Sequence, residues 1–269
     1  MYIMNVFLER ITTDAFEDHE GTVSIGGRTI TNLRFADGIN GLAGEEEQLA
    51  NLVERLYKAS TAYGMEISAE KTKLMTNNTN GINTEIKVNG QKLGTVTNFK
   101  YLGSVITDEG SKPEILSRIA QATAALTRLK PVWIDKSISL SSKTRLMRSL
   151  VTCIFLYACE SWTLTAELQR RIQVMEMRCY RKILHISYKD HFTNEKAIGP
   201  HEDLLTIVKR RKLQWYGHVS RSSGLAKTVL QGTVKGGRRQ DGQFAKSQTA
   251  GENREKWRKL VTKSAVVPQ

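Results

Sequence analysis

The sequence predicts an α+β fold: a turn-rich antiparallel part followed by an all-helical part. Three observations carry this. Up to about residue 110, short runs of alternating apolar and polar residues are punctuated by Gly26-Gly27, Asp37-Gly38 and Asn89-Gly90, dipeptides that tight hairpin turns favour. After Gly110 the apolar spacing switches to three and four residues, the period of a helix face. The charge switches there too. Residues 1–110 hold 10 basic and 15 acidic side chains (net −5), residues 111–200 hold 15 and 7 (net +8), and residues 201–269 hold 15 and 5 (net +10). Three regions follow: a partial antiparallel sheet with helices over 1–110, a helical region over 111–200, and a basic, partly disordered tail over 201–269.

Each element has its own signal. MNVFLERITTDAF reads as the end of a helix with Val6, Phe7 and Ile11 inward. TVSIGGRTITNLRFADGINGLAG reads as three short strands joined by two tight turns. The next stretch carries Leu49, Leu52, Val53, Leu56 and Tyr63 on one helical face, with Glu45 to Glu47 where they favour the helix dipole, and Gly64 ends it. MEISAEKTKLM suggests a strand, a loop and a strand. IKVNGQKL is a hairpin around Asn89-Gly90, and NFKYLGSVI adds a further strand.

Beyond Gly110, one helix places Ile115, Ile119, Ala122, Leu126 and Leu129 on a face and ends near Pro131. A second follows Ser141-Ser142, and a third follows Thr165 with Leu168, Ile172, Met175, Cys179 and Ile183 inward. Met175 and Met177 read as helix packing. EDLLTIVKRRKLQWYGHV is a fourth. GTVKGGRRQDGQ reads as a flexible basic linker, and ENREKWRKLV as a short amphipathic helix.

The totals exclude some classes. At 40% hydrophobic and 25% charged residues the chain is globular in composition. The longest apolar run, 150–159, is about half the ~20 residues a membrane helix needs. Cys153, Cys159 and Cys179 form no CxxC pair and leave an odd thiol, and no secretory signal is visible, so a reducing compartment, cytoplasm or nucleus, is expected. His191 and His201 have no cysteines at zinc-finger spacing. The basic half predicts a polyanionic partner, nucleic acid ahead of a membrane surface or an acidic protein.

Asp37 poses the central question. Asp37-Gly38 between two apolar runs is explained by a type I′ turn alone, because both central residues of such a turn need positive φ. The same residues also belong to a longer pattern. A helix end, then FADG, then a helix, then EISAEKTKLM, then FKYLGSVIT resembles the palm of a reverse transcriptase of the non-LTR (LINE-type) retrotransposon family. MNVFLERI resembles the end of the family's motif B helix, FADG its motif C (FADD), EISAEKTKLM motif D, and FKYLGSVIT motif E, the primer grip. The helices over 112–184 resemble its thumb and the segment after it, and KRRKLQWYGHVSR its tail.

The resemblance implies RNA-directed DNA polymerisation with two Mg²⁺ ions held by converging carboxylates. Asp37 matches the first aspartate of the pair, and Gly38 stands in place of the second. The motif A strand, with its aspartate, would lie upstream of Met1, and Asp14 and Asp18 are not placed to substitute. The expectation is therefore a chain that does not hold Mg²⁺ productively and does not polymerise alone. Lys71, or Lys73, matches the motif D lysine, and Tyr101, Leu102 and Gly103 match the primer grip.

Lys209, Arg210, Arg211 and Lys212 offer cations for phosphates and Trp215 a ring for an unpaired base, with Arg238 and Arg239 further along the tail. The same cations can equally be a solvated face. RNA and DNA, as a template–primer hybrid, are the partners expected, and no membrane. A non-catalytic nucleic-acid-binding module and a non-functional retrotransposon relic are the alternatives.

Overall fold

The computed structural model describes residues 2–17, 19, 21–76, 85–107, 109–191, 193 and 202–231. The fold is α+β, as the sequence predicts. The described residues fall into two units, one comprising residues up to Phe99 with the segment from Ser222 onward, the other running from Lys100 to Arg221.

In the first unit, helix α1 (Tyr2–Phe16) packs against α2 (Glu46–Ala62). Ile11 and Ala15 are buried, whereas Val6 and Phe7 are exposed, which corrects the expected inward face. The reason lies in its neighbours: Arg34 bonds Glu9 and Thr12, and Arg55 bonds the carbonyls of Ala15 and Glu17, so α2 and the adjoining hairpin hold the side bearing residues 12 and 15. Glu46 and Glu47 lie in the first turn of α2, and Gly64, at φ +71°, follows its C-cap Tyr63.

Strands β1 (Ser24–Ile25) and β2 (Arg28–Thr29) form one hairpin, β3 (Asn32–Phe35) and β4 (Gly38–Gly41) a second. A methyl at Gly41 would lie 2.5 Å from a Leu52 methyl, so glycine lets β4 lie close on α2. Only Lys73–Leu74 (β5) is extended in the motif D-like stretch, where two strands were expected, and it pairs in parallel with β8 (Gly94–Thr95). β6 (Lys87–Val88) and β7 (Gln91–Lys92) close around Asn89 and Gly90, both at positive φ, as a type I′ turn requires. Leu74, Ile86, Val88 and Leu93 pack with Leu49, Val53 and Tyr57 of α2. Among the described residues every sheet has two strands, so the expected partial sheet exists as separate pairs.

The second unit begins within β9 (Asn98–Tyr101), which pairs with β10 (Ser104–Thr107). Helices α3 (Lys112–Arg128), α4 (Lys130–Ile134), α5 (Leu140–Leu146), α6 (Cys153–Phe155), α7 (Ala166–Leu184) and α8 (Leu204–Arg221) follow. Pro131 opens α4 instead of ending α3, because a proline in a first turn loses no hydrogen bond. A π-helical stretch, Met147–Thr152, joins α5 to α6.

One core holds this unit together: Ile115, Ala122, Leu126, Trp133, Val151, Phe155, Trp162, Ile172, Met175, Cys179 and Val208. Full burial of each large side chain contributes about 1.5–3 kcal/mol. Phe155 and Trp162 meet edge to face at 5.2 Å, and Trp133 donates its indole N–H to the Leu126 carbonyl at 2.8 Å. Met175 is buried and Met177 packs against the core, as expected. Past Ser222 the chain forms a further helix, α9 (Leu225–Gln231); the expected linker GTVKGGRRQDGQ begins at Gly232 and ENREKWRKLV lies beyond it, both outside the described residues. No described helix is long and apolar enough to cross a membrane.

Candidate nucleic-acid interface

Asp37 sits at the tip of the β3–β4 hairpin. Phe35 pairs with Gly38, so the two turn residues are Ala36 and Asp37, with positive φ (+51°) on Ala36. This corrects the expected Asp37-Gly38 turn by one residue: Gly38 is the first residue of β4. Register explains the shift, because the pairing of Leu33 with Asn40 and Arg34 with Ile39 leaves two residues between the strands.

The Asp37 side chain is exposed. Among the described residues no group of three or more His, Cys, Asp or Glu converges to hold a metal ion. Asp14 is engaged elsewhere, accepting from the Tyr63 hydroxyl at 2.7 Å and pairing with Arg10 at 3.2 Å; Asp18 lies outside the described residues. Two divalent ions need several oxygen ligands in a near-octahedral array. The described residues around Asp37 do not fit Mg²⁺.

Lys71 stands in a turn with its side chain exposed, its backbone N–H facing the Ser68 hydroxyl, and Lys73 is exposed in β5. The second and better braced site is the β9–β10 turn. Leu102, at φ +48° and 46% exposed, forms its tip with Gly103. Three side chains grip this backbone from behind. Arg118 donates to the Gly103 carbonyl, Tyr157 donates to the Leu102 carbonyl at 2.5 Å, and Glu114 accepts from the Val105 N–H at 2.6 Å. Glu114 and Arg118 are themselves a buried pair at 2.6 Å, and the Arg118 guanidinium lies 4.5 Å from the Tyr157 ring centre. Sequence reasoning named Tyr101, Leu102 and Gly103 but not this brace. The four-residue spacing of Glu114 and Arg118 was a visible signal; their burial was not.

The α8 cations turn out to be largely occupied. Arg210 pairs with Glu202. Lys212 donates to the Trp162 and Glu160 carbonyls, and burial pulls its pKa down. Arg211 reaches the Leu156 carbonyl at 3.4 Å and Glu160 at 3.9 Å. Arg211 and Lys212 therefore tie α8 to the turn at Cys159–Ser161. Lys209 is half-buried and has no partner among the described residues, and Trp215 is 41% exposed. Arg238, Arg239 and His201 lie outside the described residues; His191 is exposed.

The outer face of α7 is different, and sequence reasoning missed it. Arg170, Gln173, Val174, Met177, Arg178 and Arg181 line one open groove on it. Arg170 and Arg178 are exposed and bound to no carboxylate or carbonyl among the described residues.

Over 207 residues, covering 73% of this chain and 74% of its own length, an uncharacterized transposon-derived protein of Caenorhabditis elegans is 28% identical to this chain. The chain is thus similar to a protein of transposon origin. No family model matches it, and no solved structure matches it.

Proposed function

We propose that this chain is a transposon-related protein of the non-LTR reverse transcriptase type that binds nucleic acid and does not by itself polymerise DNA. The observation that carries the second half is the β3–β4 tip: an exposed Asp37 that joins no metal-holding cluster among the described residues, followed by a glycine with no side chain to offer a metal. The nucleic-acid half is supported by the net charge of +13 and by its concentration after residue 110. The retroelement assignment is supported by the order of the five motif-like stretches and by the similarity to a transposon-derived protein.

Primer extension on an RNA template, with Mg²⁺ and the full chain, tests catalysis. The expected result is no product from the natural sequence, from Asp37→Ala or from Gly38→Asp, since one added carboxylate still leaves too few ligands. Product that is lost in Asp37→Ala would overturn the reading. In parallel, labelled RNA–DNA hybrid is titrated across a salt series. Binding is expected to weaken steeply as salt rises. Weak, salt-independent binding with aggregation would mark the chain as a relic.

A further inference from the structure

Of the three described tryptophans, two belong to the core: Trp133 and Trp162 are each 1% exposed. Trp215 is 41% exposed. Tryptophan carries a large apolar area and is highly buried on average, so an indole left in water calls for a use. Its neighbours on α8 supply one.

α8 has a buried side, with Leu204, Leu205, Val208, Gly217 and Val219. Its exposed side carries Gln214, Trp215, His218 and Arg221. These four positions follow i, i+1, i+4 and i+7, a single strip along two turns. No Asp or Glu occurs in the helix, so none of its own carboxylates repels a polyanion. Arg210 and Lys212 are spent inside the protein, on Glu202 and on the Trp162 carbonyl. At its centre the strip therefore presents two rings and an amide rather than free cations.

Trp215 and His218 stand on adjacent turns, with Cβ atoms about 5–6 Å apart. Rings rooted at that spacing can close on the two faces of one flat heterocycle. Gln214, beside Trp215, holds an amide donor and an amide acceptor for the edge of such a ligand. Among the described residues neither Gln214 nor His218 spends its side chain on a hydrogen bond or an ion pair.

We infer that the outer strip of α8 binds an unpaired nucleobase of a single-stranded nucleic acid, stacked on Trp215 with His218 on its other face. This deepens the nucleic-acid reading above and rests on it. A base inside a duplex gives both faces to its neighbours, whereas an unpaired base has a face free for an aromatic side chain. The strip has no aliphatic side chain, so it lacks the continuous apolar surface that an amphipathic helix or a membrane requires. Stacking also needs no counterion release, so its contribution separates from that of the phosphate contacts by salt.

The test uses the full chain in a Trp257→Phe background, where the remaining indoles are the buried Trp133 and Trp162 and the exposed Trp215. Single-stranded oligouridylate of about 12 nucleotides and an RNA duplex are each titrated across a salt series, reading tryptophan fluorescence and the anisotropy of the labelled nucleic acid. The single strand should quench the fluorescence and the duplex should not. Trp215→Ala should abolish the quenching and weaken single-strand binding by about 10- to 100-fold. It should leave the slope of log K against log salt unchanged and move duplex affinity by less than about twofold, because no phosphate contact leaves with the ring. His218→Asn should weaken single-strand binding, and His218→Phe, which keeps a ring, should restore it. An unchanged melting midpoint separates lost contact from lost fold, and Trp215→Phe should keep most of the affinity.

Failure to bind any nucleic acid would overturn the functional reading and this inference together. Salt-dependent binding that Trp215→Ala leaves intact, or single-strand binding without quenching, would overturn the α8 site alone. Equal losses for single strand and duplex in Trp215→Ala would overturn the single-strand assignment. Equal quenching by an acidic peptide or by anionic lipid vesicles would overturn the nucleobase assignment.

Discussion

Arg118 shows how one residue can serve a distant turn. Its guanidinium meets Glu114, the Gly103 carbonyl and the Tyr157 ring while only 6% exposed. Removing one member of a buried pair strands the other charge, which costs about 3–5 kcal/mol. Arg118→Met and Glu114→Gln should each lower the unfolding free energy by several kcal/mol in urea melts. The double variant Glu114→Gln/Arg118→Met should cost clearly less than the two single losses combined, because no buried charge is left unpaired. Additive losses would show that the two side chains act on the turn independently.

The helices and hairpins differ in how far the sequence disclosed them. Thr165 caps α7 by accepting from the Leu168 N–H at 3.3 Å. Thr165→Ala should cost about 1 kcal/mol, read as a lower melting midpoint, and Thr165→Ser should restore it. This cap and the apolar periodicity behind it depend on neighbours within a turn or two, so α7 was legible to within a residue. The same holds for Asn89-Gly90, whose positive φ values are a local demand.

What was not legible depends on partners remote in sequence. The β3–β4 register, which moved the turn onto Ala36 and Asp37, is set by pairing and by the approach of Gly41 to Leu52. The employment of Arg211 and Lys212 depends on a turn some fifty residues earlier, whose carbonyls no sequence pattern announces. The candidate site was therefore half visible: Asp37, Gly38 and the primer-grip-like turn could be named, whereas the α7 groove, read only as a buried face, could not. One local conflict remains at the surface. Leu33 and Phe35 are 40% and 61% exposed on a strand pair that has no third strand among the described residues. Such an edge invites association, and Phe35→Lys should lower light scattering of the concentrated protein without moving its melting midpoint.

At the scale of the whole molecule the cysteines report folding and set its alkaline limit. Cys153 is exposed, while Cys159 and Cys179 are buried in the helical unit, where burial pushes each thiol up to about 11. A thiol reagent at neutral pH should therefore titrate one group rapidly in the folded chain and all three after denaturation. In the unfolded chain these thiols ionise near 9.0. Below pH 9 they are protonated in both states and add no pH dependence. Between pH 9 and 11 the unfolded state loses protons that the folded state keeps, so stability falls by about 1.4 kcal/mol per pH unit for each buried thiol.

Lys212 works in the opposite direction. Burial lowers its pKa, so in the window between that lowered value and 10.5 the unfolded state binds the extra proton and stability rises with pH. Two thiols outweigh one half-buried lysine, and the net expectation is a loss beginning near pH 9. Cys159→Ala should halve the steepness of that loss while costing stability at pH 7 through the space it leaves. A stability that stays level from pH 9 to 11 in the natural sequence would mean that water reaches these thiols and that the helical core is looser than its packing implies.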